Sequence, residues 1–160
     1  MTRLGKQSLI AAAFLLANWT VPSASAAEPP ADLCSLLPTA QVSKALGKTY
    51  NSPTKSVAPR PYPNTAQGTD CNYSANGGSD LLFRAYVDPS PSAAKELFAK
   101  LKMFYSPPTP VSDLGDEAYF DPQHAIHVRK GKVRYYLALT NDPAVEKPLK
   151  DLANQVAGQL

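Results

Sequence analysis

Between residues 69 and 88, apolar and polar side chains alternate on either side of Asn76-Gly77-Gly78. Alternation with period two puts successive side chains on opposite faces of a strand. Asn and Gly tolerate the positive φ of a tight hairpin turn. The stretch therefore reads as an antiparallel hairpin. Cys71, Tyr73 and Ala75 share a face of the first strand. Leu81, Phe83, Ala85 and Val87 share a face of the second, with Leu82, Arg84 and Tyr86 opposite.

A second hairpin follows. Ile126 and Val128 point one way, His127 and Arg129 the other, and Lys130-Gly131 is the turn. Val133, Tyr135, Leu137 and Leu139 then alternate with Arg134, Tyr136 and Ala138. A short strand over Glu117 to Asp121 precedes it, entered through the turn Leu114-Gly115-Asp116.

Helical spacing marks three further segments. The first is capped by Thr39, carries Ala40, Val42, Ala45 and Leu46, and stops at Gly47. The second has Ser90 as N-cap and Pro91 at its first position, with a stripe of Ala94, Leu97, Phe98, Leu101 and Phe104. Pro107-Pro108-Thr109-Pro110 ends it. The third runs over Ala144 to Ala157, with Val145, Leu149, Leu152 and Val156 as its stripe and Pro148 limiting its regular part. Residues 48–68 are irregular, punctuated by Pro53, Pro59, Pro61 and Pro63. Such a loop is either a functional flap or an idle excursion tied down by Cys71, with Tyr50 and Tyr62 holding it to the body. The order α-ββ-α-βββ-α predicts an α+β fold: an antiparallel sheet of about five strands, helices packed on one face, and the other face open to water.

The N-terminus reads as an export signal. Arg3 and Lys6 form a basic start, and Leu9 to Trp19 is apolar but too short to span a bilayer. Ala24-Ser25-Ala26 supplies a small-x-small cleavage pattern. The expected organisation is a signal peptide over 1–26, a linker over 27–33 and one α+β domain over 34–160, with no transmembrane segment after cleavage. Leu33 before Cys34 breaks the small-residue pattern a lipid anchor needs. Losing Arg3 and Lys6 takes the formal charge from +3 to +1, which gives no support for nucleic-acid binding. An exported chain with one remaining cysteine pair reads as carrying a disulfide between Cys34 and Cys71.

Several short patterns recur together: Cys34 with Leu36-Leu37, Ala45-Leu46-Gly47, Cys71 with Tyr73, Leu114-Gly115-Asp116-Glu117-Ala118-Tyr119, and Val128-Arg129-Lys130-Gly131. Over most of 34–157 they resemble small exported bacterial domains of unknown function, the cell-envelope proteins of the DUF3558 type, with a Mog1/PsbP-like layout. The resemblance implies a periplasmic or secreted, largely non-enzymatic protein, and lends no catalytic residues.

No zinc-type Cys/His cluster, phosphate loop or nucleophile motif occurs, and neither cofactor nor metal is expected. His124 and His127 would face opposite ways on a strand, unless His124 sits on a loop near Asp121. Asp116 and Glu117 could do acid–base work if held in a dry cleft. Otherwise Asp116 caps turn amides and Glu117 is solvated. With the apolar strand faces turned to the helices, Arg84, Tyr86, His127, Arg129, Arg134 and Tyr136 share the outer face. Arg and Tyr anchor interfaces through planar hydrogen bonding and rigid area. The leading expectation is an exported, non-catalytic binding domain whose partner is an anionic cell-envelope ligand or an envelope protein. The alternatives are a small envelope hydrolase around Asp116, Glu117 and His124, or a structural accessory subunit that exposes an apolar patch.

Trp19 is the one tryptophan of the chain and lies within the signal. N-terminal sequencing of the secreted protein is expected to begin at Ala27, and its emission to be of the tyrosine type. A tryptophan band would show that 1–26 is retained.

Overall fold

The computed structural model describes residues 28–139 and 143–160; the export signal expected over 1–26 lies outside them. Seven strands form one sheet: β1 (Thr54–Ala58), β2 (Gly68–Tyr73), β3 (Leu81–Val87), β4 (Thr109–Val111), β5 (Glu117–Phe120), β6 (Ile126–Lys130) and β7 (Val133–Leu139). Among the described residues three α-helices accompany it: α1 (Thr39–Leu46), α2 (Pro91–Phe104) and α3 (Glu146–Ala157). The strand order is β1-β2-β3-β7-β6-β5-β4, and every neighbouring pair is antiparallel. Two meanders, β1-β2-β3 and β4-β5-β6-β7, thus meet at the β3–β7 pair. The fold is α+β, as expected.

One face of the sheet carries the larger core. Phe83, Leu137, Ile126 and Val128 are fully buried there with Val42 of α1 and Leu149, Leu152 and Val156 of α3. Full burial of each aliphatic side chain contributes roughly 1.5–3 kcal/mol. The α3 stripe read from spacing is buried in full, Val145 included. Pro148 falls in the first turn of α3, where a helix has no acceptor for the missing N–H. Two tyrosines pin the helical layer to the sheet: the Tyr73 hydroxyl donates to Leu37 O at 2.5 Å, and that of Tyr135 to Ala153 O at 2.7 Å.

The structure corrects the expected layout in three ways. The sheet has seven strands, not five, and the element order is α-βββ-α-ββββ-α. β1 was legible only as loop because four of its five residues are exposed and show no alternation. β4 contains Pro110, tolerated because β4 is an edge strand where an N–H can be missing. Helices also cover both faces rather than one: α2 lies opposite α1 and α3, with the Phe98 ring 5.2 Å from that of Tyr119. Finally, Pro38, not Thr39, precedes the first turn of α1. Ser90 caps α2 as read, accepting from Ala93 N at 3.2 Å.

Cys34 and Cys71 form a disulfide across 37 positions, joining the segment before α1 to β2. Both are buried. No helix among the described residues is long and apolar enough to cross a membrane. Replacing both cysteines by serine is expected to lower stability by about 4 kcal/mol through loss of loop closure. The midpoint of urea unfolding, compared with the oxidised protein, reads this directly.

Candidate functional site

The register of the sheet builds two cross-strand rows on the face opposite α1 and α3. In the first, Asp70 pairs with Arg84, Arg84 with Tyr136, Tyr136 with His127, and His127 with Tyr119. In the second, Tyr86 pairs with Arg134, Arg134 with Arg129, and Arg129 with Glu117. Directly opposed side chains are in contact range. The structure therefore brings all six residues of the expected outer face together.

The rings of the first row stack. His127 lies 4.7 Å from Tyr119 at an interplanar angle of 6°, and 5.1 Å from Tyr136 at 26°. The Arg84 guanidinium sits 5.4 Å from the Tyr136 ring, and that of Arg134 4.9 Å from the Tyr86 ring. Tyr86 lies over Gly68. A Cβ there would sit 2.6 Å from two ring carbons, so only glycine lets the ring lie flat on β2.

This face is not an open, solvated surface. His127, Arg129, Arg134 and Tyr86 are buried. A charge taken out of water needs a partner, and each arginine here has one. Arg84 donates from Nε and Nη2 to Asp70 at 2.5 and 2.7 Å. Arg134 donates likewise to Asp88 at 2.5 and 3.0 Å, in a pair whose side chains are 3% and 0% exposed. Arg129 Nη1 donates to Asp116 at 2.8 Å, and His127 Nε2 lies 2.9 Å from Asp121 Oδ2. The arginines are therefore not the free cations that the strand pattern suggested.

Above the rows is a pocket of about 230 Å³. Its floor is Arg84, Tyr86, His127, Arg134 and Tyr136, with Tyr135 at one side. Pro59, Arg60, Pro61 and Tyr62 form one wall, and Phe98, Leu101, Phe104 and Tyr105 the other. Arg129 does not line it. The first wall belongs to the segment left open as flap or excursion, and it is anchored: the Tyr86 hydroxyl donates to Pro59 O at 2.8 Å. Tyr50 holds the start of the same stretch, donating to Ser79 O at 2.9 Å. The α2 stripe carried a trace of the second wall, but Phe104 is 83% exposed rather than packed on the sheet. No spacing rule relates either wall to the strand rows.

Asp116, Glu117 and His124 are each engaged by a separate partner. Asp116 is held by Arg129 and by Gly131 N at the β6–β7 turn. Gly115 before it has φ +60°, and a Cβ there would meet Arg129 O at 2.6 Å, so Gly-Asp is a structural turn. Glu117 accepts from Lys102 at 3.1 Å. His124 sits on the loop before β6, its Nδ1 2.9 Å from Glu146 of α3. Each group has its own partner on a different element, and no cluster of three His, Cys, Asp or Glu able to hold a metal occurs among the described residues.

Comparison of the chain with family models, curated proteins and solved structures finds no match. The site's chemistry is therefore read from its own geometry.

Asp121 organises one end of the site. Its Oδ1 accepts from Gln123 N and Ala125 N, both at 2.9 Å. Burial pushes the carboxyl up, but the His127 hydrogen bond and those two amides outweigh it and hold it below its ordinary value of 3.8. A folded pKa below the unfolded one stabilises the fold above the unfolded value and loses that contribution as pH falls through the folded one. Stability is thus expected to fall more steeply on acidification below about pH 4 in the native protein than in Asp121→Asn. Asp121→Ala, which strips buried His127 of its acceptor, is expected to cost about 1–3 kcal/mol at neutral pH. Urea unfolding across pH checks both.

Proposed function

We propose that this chain is an exported, non-catalytic binding domain of the bacterial cell envelope, and that it binds in the pocket between the outer sheet face and α2. The N-terminal pattern and the disulfide support export to an oxidising compartment. The observation that carries the binding reading is the pocket itself: two segments far apart in sequence, 59–62 and α2, wall one concave space over a floor of three strands, β3, β6 and β7. The floor residues are locked by ion pairs and stacking, which is preorganisation of the kind a binding site needs. Arg84, Arg134 and His127 are each engaged by their own carboxylate, which favours binding over catalysis.

A second reading has one observation in its favour. Met103 and Phe104, at the end of α2, are 74% and 83% exposed. Exposed apolar side chains beside the pocket mouth suit contact with an envelope protein.

Amide NMR of the secreted, oxidised protein separates the two. Mixtures of small organic acids, neutral polyols and amines are expected to shift Tyr62, Leu101 and Tyr105. Shifts confined to other regions, or none at all, would remove the pocket as the binding site.

A further inference from the structure

We infer that the pocket selects a small organic monoanion, a single carboxylate carried on one apolar ring. This rests on the pocket being the binding site, and it narrows the expected anionic ligand to one charge.

The polar lining is made of donors. Arg60, Arg84, Arg134, Tyr62, Tyr105 and Tyr136 line the space, and no carboxylate does. The acids that neutralise the floor lie behind it. Asp70 occupies Nε and Nη2 of Arg84, and Asp88 occupies the same two nitrogens of Arg134. The Tyr136 hydroxyl has no partner among the described residues. Burial, opposed by Arg84, pushes its pKa up to about 12, so it is a donor at neutral pH. A lining with donors to spare and few acceptors matches a ligand that brings acceptors.

Charge sets how many negative charges the ligand brings. Arg84, Arg134 and His127 each have a dedicated carboxylate. Arg60 has none among the described residues; its Nη1 donates to Thr65 O. One uncompensated cation at the wall balances one negative charge. A polyanion would bring charges that the fold has already neutralised, and burying them unpaired is costly.

The rest of the ligand is set by shape. Both faces of the His127 ring are covered within the row, and Tyr136 is covered by His127 and Arg84. The floor therefore offers edges and hydroxyls. Ring contact must come from the α2 side, from Phe98, Leu101 and Phe104. About 230 Å³ lies below the range for drug-sized ligands, which suits one ring rather than a chain of them.

Calorimetric titration of the secreted, oxidised protein tests this with benzoate, phenylacetate and cyclohexanecarboxylate, against benzamide and inorganic phosphate. At least one carboxylate is expected to bind about tenfold or more tighter than benzamide, with phosphate weaker still. Arg60→Gln and Tyr136→Phe are each expected to weaken that carboxylate severalfold, and Arg60→Lys to restore part of the loss. Arg60 is exposed and Tyr136→Phe keeps the stacked ring, so both variants are expected to fold. Benzamide binding as tightly as benzoate, or carboxylate binding untouched by both variants, would overturn the inference. So would no carboxylate binding while the NMR screen finds another ligand class in the pocket, and the pocket reading would then stand. Silence in both experiments removes both.

Discussion

β3 and β7 pair antiparallel from Leu81↔Leu139 to Val87↔Val133, and that pairing joins two meanders that would otherwise be separate sheets. It also fixes, in one register, which residues share a face. Phe83 and Leu137 fall to the core that α1 and α3 cover. Arg84 meets Tyr136 and Tyr86 meets Arg134 on the other side. A slip of one residue would send the arginines into the apolar core. The hydrophobic demand of one face thus determines the chemistry of the other.

Covering the second face with α2 and the 59–62 segment imposes a further condition. Arginines under a helix and a loop must be neutralised, since removing one partner of a buried pair costs about 3–5 kcal/mol. Asp70, Asp88 and Asp116 meet that condition one by one, and Asp121 takes the His127 ring. The same pairing makes the floor rigid and nearly neutral. It converts what reads in sequence as a cationic surface into a donor-edged platform, and leaves Arg60 as the cation of the pocket without its own acid among the described residues. Stacking does similar work: His127 between Tyr119 and Tyr136 is held by ring faces on both sides and by Asp121 at its edge.

Much of this was legible locally. With the turn centred near Gly77, the β2–β3 hairpin register already opposes Asp70 to Arg84 and Gly68 to Tyr86. The β6–β7 turn falls on Gly131-Lys132, one residue later than the Lys130-Gly131 read from the sequence, so His127 opposes Tyr136 and Arg129 opposes Arg134, where the expected turn would have put Arg134 opposite His127. The faces need only alternation, whereas the cross-strand partners need the turn placed to the residue. β1 and β4 escaped because edge strands bury too little to show a period, and β4 carries a proline as well. The Asp88–Arg134 pair escaped because its members are 46 positions apart, on no common hairpin.

The sequence by itself determined the strand faces, the two hairpins, the α3 stripe and the cysteine pair, because each follows from a short-range period, a turn residue or a count. The tertiary structure alone decided that α2 crosses to the opposite face, that residues 59–62 become a wall, and that Arg134 meets Asp88. Helix placement depends on which face is already filled, and the meeting of distant segments depends on long-range pairing that no local pattern encodes. The pocket exists only where those two choices coincide.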